Sequence, residues 1–93
     1  MPLTCTIDGR ALSSLDELYD QLAAQLPLPP HFGRNLDALW DLLTAELPGP
    51  LTIVWQHADD SRALLGDRYV KVKILLEEAA GERDDLTVRF EGD

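Results

Sequence analysis

Apolar residues recur along this chain with two different periods, and the switches between them outline its elements. Leu3, Cys5 and Ile7 alternate with Thr4 and Thr6, the period-two pattern of a half-buried strand, and Asp8-Gly9 then offers a turn. From Leu15 the period lengthens: Leu15, Leu18, Tyr19, Leu22 and Leu26 form one stripe of an amphipathic helix that ends before Pro27. Ser14 followed by Glu17 gives that helix a capping-box start. A second helix is predicted over residues 36–47, with Asn35 as its N-cap and Leu36, Leu39, Trp40, Leu43 and Leu47 on one face. Pro48-Gly49-Pro50 breaks the chain. Residues 51–55, LTIVW, are almost continuously apolar, which predicts a strand buried on both faces and placed in the middle of a parallel sheet, with Trp55 in the core.

Residues 57–65 suit a short helix whose contacts come from Ala58, Ala63, Leu64 and Leu65, with Gly66 to end it. The next segment fits two patterns. Val70, Val72 and Ile74 alternate with Lys71 and Lys73 as in a strand, whereas Val72, Leu75, Leu76 and Ala79 fit a helix capped by Asp67. Length decides for the helix, because the apolar pattern continues to Ala80 before Gly81. Leu86, Val88 and Phe90 alternate with Thr87 and Arg89 as a last strand at a sheet edge. Strands separated by helices imply an α/β fold with parallel strands and right-handed crossovers.

The second helix carries more than its folding needs. Asp37 and Asp41 share a face away from the leucines, and Trp40 lies on the border. Asp37 is accounted for by the first turn, where exposed N–H groups favour a carboxylate. Asp41 lies beyond that turn, is a poor helix former, and sits one turn from a like charge, so helix stability does not explain it; a solvated surface residue is the ordinary alternative. Before the helix, Pro29 and Pro30 stiffen the loop, His31 and Phe32 form an aromatic pair, and Gly33 is placed to supply a positive φ. Aromatic rings and carboxylates gathered in this way suggest a recognition surface.

Composition narrows the function classes. The 93 residues make one domain, 45% hydrophobic and 27% charged, and the net charge of −9 disfavours nucleic acid and anionic membranes as partners while favouring basic proteins. Cys5 is the only cysteine and is expected as a buried apolar residue; neither an intramolecular disulfide nor a cysteine cluster for a metal is available. The start has no leader pattern and no stretch is long enough to span a membrane, so the expected location is the cytoplasm. There is no glycine-rich phosphate loop, no Gly-x-Ser-x-Gly turn and no paired-histidine metal spacing, and nothing near Asp37 and Asp41 would separate their proton affinities as an acid/base pair requires. No enzyme, cofactor or metal is expected.

The run LPPHFGRNLDALWDLLT resembles the centre of the barstar family, intracellular inhibitors of barnase-type ribonucleases. NLDALWD mixes core and surface types, and the likeness extends through the IDG turn, the proline before the second strand, the tryptophan that ends it and a glutamate on the last helix. The resemblance implies a three-stranded parallel sheet of order 1-2-3 with about four helices, and a cis Gly49-Pro50 peptide. It also implies that the partner is a basic secreted ribonuclease or nuclease toxin, whose active site is plugged by acidic side chains standing in for substrate phosphates. Carried over by position, the contacts are His31, Gly33, Asn35, Leu36, Asp37, Trp40 and Asp41, with Glu78 as an outlying carboxylate. His31 stands where the family has tyrosine, Glu46 where it has tryptophan, and Arg34 where it has an acid. The protein is expected to be monomeric when free. Two other classes fit the sequence: an acidic immunity or adaptor protein for a different basic partner, and a regulatory protein that keeps the fold without the inhibitor role.

Overall fold

The computed structural model describes residues 2–92, without the side chain of Ala11. The elements, in order, are β1 (Leu3–Asp8), α1 (Leu15–Gln25), α2 (Leu36–Asp41), β2 (Leu51–Gln56), α3 (Ala58–Leu65), α4 (Asp67–Glu82) and β3 (Leu86–Phe90). A 3₁₀ turn, Gly9–Ala11, follows β1, and a π-helical segment, Leu42–Glu46, extends α2. The sheet is parallel in the order β1-β2-β3, with Cys5 beside Ile53 and Ile53 beside Val88. Gly49-Pro50 is cis.

Both crossovers step in the same direction along the sheet, and two right-handed crossovers of that kind put their helices on the same face. Cys5, Ile7, Leu51, Ile53, Trp55 and Leu86 are accordingly buried, whereas Thr4, Thr6, Thr87 and Arg89 are exposed and Thr52 and Val54 half-exposed. This corrects one expectation. β2 is the middle strand, but it is buried on one face only, because its continuous apolar run supplies a core row and a half-covered outer row. Burial among the core leucines pushes the Cys5 thiol up to about 11, so it stays protonated and inert.

Three other expectations shift. In α3 the buried residues are Ala58, Ser61 and Leu65; Ala63 and Leu64 face outward, since a helix entering at Ala58 turns them away from the sheet. In α4, Gly66 is the N-cap and Asp67 the first helical residue, and the helix passes through Gly81 to end at Glu82. Its buried row is Tyr69, Val72, Leu76 and Ala79, which leaves Val70 and Ile74 exposed; these two produced the strand-like alternation. The helix predicted over 36–47 is α-helical only to Asp41. From Leu42 it widens, and the Leu47 N–H donates to the Leu42 carbonyl five residues back at 2.9 Å. The wider turn shifts the helical phase and brings both Leu42 and Leu43 into the core, although Leu42 lies off the predicted stripe.

Two polar devices sit inside this packing. Ser61 is fully buried: its hydroxyl accepts from Trp55 Nε1 and donates to the Gly9 carbonyl, each at 2.8 Å. A β-carbon at Gly9 would overlap the Ser61 hydroxyl, so the glycine is what lets the turn after β1 approach α3. The Arg83 side chain, 14% exposed, donates from Nη1 to the carbonyls of Leu43 (2.8 Å) and Leu47 (2.9 Å) and from Nε to Asp85 (2.9 Å). It satisfies carbonyls that the end of the π segment leaves open and ties that end to the approach of β3.

Candidate functional site: the α2 face and its loop

The loop entering α2 is fixed by hydrogen bonds among its own residues and by contacts with α1. Phe32 packs edge-on against Tyr19 of α1, with ring centres 5.7 Å apart, and its N–H donates to the Pro29 carbonyl. The aromatic pair is therefore divided: Phe32 anchors the loop to the core and His31 is exposed. Positive φ falls on Arg34 (φ 52°), not on Gly33 as expected. Gly33 eases close packing instead. A β-carbon there would stand 3.1 Å from Asn35 Nδ2 and 3.3 Å from the Ala38 methyl.

Asn35 caps α2 as predicted, its Oδ1 accepting from the Ala38 N–H at 2.8 Å, while its Nδ2 donates to the Gly33 carbonyl at 3.2 Å. Its amide is thus occupied in shaping the loop. Arg34, the one cation in this stretch, points to α1. Its guanidinium donates to the Asp16 carbonyl (2.9 Å) and to Asp20 (3.0 Å), and it lies over the Tyr19 ring. The left-handed backbone at Arg34 directs the side chain away from the α2 carboxylates, so it does not neutralise them.

Asp37 and Asp41 project from successive turns of α2 and are exposed; neither enters an ion pair or side-chain hydrogen bond, and the same holds for Glu78 on α4. Where α2 passes α4 there is a groove of about 360 Å³ lined by Leu36, Asp37, Trp40, Lys71, Ile74, Leu75 and Glu78. Four of the eight predicted site residues, Leu36, Asp37, Trp40 and Glu78, therefore meet around one depression, whose apolar part is formed by half-buried Trp40 and Leu36 together with Ile74 and Leu75. Asn35 and Leu36 also border a second hollow of about 430 Å³ that reaches Arg68. His31, Gly33 and Asp41 are exposed outside the groove. Lys71, Ile74 and Leu75 were missed by the sequence reading. They share the Glu78 face of α4 at three-, four- and seven-residue spacings, a usable signal once α4 is known to pack beside α2.

Chemically this face is an open, acidic surface with an apolar centre. It offers two carboxylates one helical turn apart, a third across a shallow groove, and a tryptophan partly desolvated between them. Among the described residues no three His, Cys, Asp or Glu side chains gather as a metal site, and no helix is long and apolar enough to cross a membrane.

The model of a family described as Barstar (barnase inhibitor) matches residues 3–91. The chain is also similar to a Bacillus subtilis (strain 168) protein named "Putative ribonuclease inhibitor YrdF", with 40% identity over 79 residues, which cover 85% of this chain and 87% of that relative.

Proposed function

The chain belongs to the barstar family, and from that premise we propose that it inhibits a basic, secreted, barnase-type ribonuclease by plugging the enzyme's active site with the acidic face of α2 and the loop before it. The contacts are His31, Gly33, Asn35, Leu36, Asp37, Trp40 and Asp41, with Glu78 at the rim. Membership of the family makes a ribonuclease the class of partner. The observation that carries the mechanism is the unpaired state of Asp37 and Asp41. Asp16 and Asp20 are tied to Arg34 and Asp85 to Arg83, whereas Asp37 and Asp41, like Glu78 across the groove, are left open on an exposed face.

A ribonuclease active site gathers cations to hold a phosphodiester. Carboxylates held on a rigid helix meet those cations with little ordering cost, because the capped turn already fixes their spacing. The inhibitor acts by occupancy and not by catalysis. Its own excess negative charge of −9 keeps it from competing for the RNA and accelerates encounter with a cationic enzyme. We place this activity in the cytoplasm, where such an inhibitor protects the producing cell before the nuclease is exported.

The test is a titration of several purified small ribonucleases, barnase among them, with this protein while RNA cleavage is followed. Stoichiometric loss of activity of at least one barnase-type enzyme is expected. Undiminished cleavage across the panel at excess protein would remove the inhibitor reading and leave the family's fold without this role.

A further inference from the structure

Side chains close the outer edge of β1 at Thr6 and Asp8. Gln25 of α1 accepts from the Thr6 N–H through Oε1 and donates from Nε2 to the Thr6 carbonyl, both at 2.8 Å. Gln21 makes the same pair of bonds with Asp8, at 2.8 Å to its N–H and 3.0 Å to its carbonyl. A carboxamide carries one C=O and one N–H₂, so each glutamine presents to the strand the donor and acceptor that a neighbouring peptide would present. The spacing fits. Four residues of helix rise about 6 Å, two residues of strand advance about 6.6 Å, and a four-residue step returns a side chain to nearly the same helix face. Gln21 meets the later strand residue and Gln25 the earlier one, as expected for a helix running antiparallel to its strand.

We propose that Gln21 and Gln25 form a two-rung side-chain strand that seals β1 against a second copy of this chain, whose own β1 would otherwise add to the sheet. Stability alone does not account for the arrangement. The edge is near the surface, water would satisfy Thr6 and Asp8, and ordering two glutamine side chains costs conformational entropy. Occupying the edge does what water cannot, which is to exclude another strand. β1 needs this protection because residues 3–7 are uncharged and rich in strand-forming types, a composition that templates edge-to-edge pairing, and its one charge, Asp8 paired with Arg10, stands only at the end of the strand. At the opposite edge, Arg89 on β3 and Glu91 beyond it are paired charges that discourage pairing without a cap. A two-fold contact between two β1 edges would join the two sheets antiparallel into one of six strands.

The inference stands apart from the inhibitor reading and is tested without a nuclease. Amide exchange at Thr6 and Asp8 and light scattering across a concentration series are measured for wild type, Gln21→Leu/Gln25→Leu and Gln21→Glu/Gln25→Glu. In wild type both amides are protected and the mass is that of a monomer. In the dileucine variant, exchange at both amides rises by about tenfold or more at low concentration. The mass moves to dimer as concentration rises, and the near-ultraviolet signal of buried Trp55 is unchanged. The diglutamate variant keeps an acceptor for each N–H and adds charge at the edge, so it stays monomeric. A dileucine variant that remains monomeric at high concentration, a wild type that is already dimeric, or a diglutamate variant that associates as readily as the dileucine one would each overturn the proposal. If the dileucine variant unfolds, Gln25→Leu alone is read in the same way, with exchange at Thr6 and the mass as criteria.

Discussion

The two ends of the segment from Asn35 to Leu47 are built to opposite specifications. At the beginning, Asn35 caps the helix and Asp37 and Asp41 are exposed and unpaired. At the end, Leu42, Leu43 and Leu47 are buried and Arg83 holds the carbonyls of Leu43 and Leu47 while pairing with Asp85. One end keeps the two carboxylates Asp37 and Asp41 free, and at the other Arg83 and the carbonyls it holds are spent on the fold. The lesson is that a charge already bonded within the protein contributes to shape, and a charge fixed in place but left unbonded is available to a partner. Glu78, Asp37 and Asp41 belong to the second kind, Asp85 and Arg83 to the first.

The largest effect that would break this contrast is on binding. Asp41→Ala should weaken the complex with an inhibited ribonuclease by about 2–5 kcal/mol, because cations of the enzyme's active site are then buried without a partner. The melting temperature should stay level or rise slightly, since alanine is the better helix former and a like-charge neighbour is removed. Calorimetric binding and thermal melts on the same preparation check both halves. An Asp41→Ala protein that binds as wild type, or that melts early, would return Asp41 to an ordinary surface or structural residue.

Arg83→Ala should do the reverse. Removing a nearly buried guanidinium leaves two carbonyls short of a donor, at a cost of about 2–3 kcal/mol in stability, or a fall in melting temperature of roughly 10 °C or more. Binding measured well below the melt should change far less than with Asp41→Ala. A loss of binding larger than the loss of stability would mean that the two ends are not independent.

Between these lie the edges of the site. His31→Ala should cost roughly 1 kcal/mol of binding if the exposed ring stacks on the partner, and Glu78→Ala less than that, as a rim charge screened by water. If Glu78→Ala exceeds His31→Ala, the centre of the interface lies on the α4 side of the groove. The association rate of the wild-type protein should also fall steeply as salt rises toward physiological strength, where screening acts over about 8 Å. A salt-independent rate measured by stopped flow would argue against acidic steering.

The smallest effect is on pH dependence and concerns the paired acids. The Arg83 guanidinium bonded to Asp85 lowers the pKa of that carboxyl, and the Arg10 side chain, followed by the Arg10 N–H, holds Asp8 down at about 2. Each carboxyl binds a proton less readily folded than unfolded, so each favours the fold fully above the ordinary carboxylate pKa of about 4. That support is lost as the pH falls through the folded values. Melts between about pH 4 and 2 should therefore decline less steeply for Asp85→Asn than for wild type. Equal slopes would show that the Arg83–Asp85 pair contributes nothing to the acid limb.

The elements could be read from the sequence because their signals are local. Strand alternation in β1 and β3, the Ser14 and Asn35 caps and the helical stripes depend on neighbours within a few residues, as does the separation of Asp37 and Asp41 from the leucines of α2. The NLDALWD run carried the family likeness, and with it the sheet order. Even so, the Ser14–Glu17 box closes only in part: Ser14 accepts from the Glu17 N–H, but the Glu17 carboxylate is taken by the Ser13 hydroxyl. The features that escaped the sequence depend on which distant segments meet. Whether β2 is covered on one face or two depends on where both crossovers fall. The widening of the helix at Leu42 depends on a core that takes Leu42 and Leu43 together. The direction of Arg34 and its positive φ go with Asp16 and Asp20 lying across from it, a placement that no local signal in the sequence shows. Lys71, Ile74 and Leu75 enter the candidate site only because α4 packs beside α2, and Gln21 and Gln25, ordinary polar residues of an amphipathic helix in the sequence, become a strand edge only when α1 lies antiparallel to β1. Local periodicity determines which face of an element is apolar; tertiary packing determines what each remaining polar group will meet.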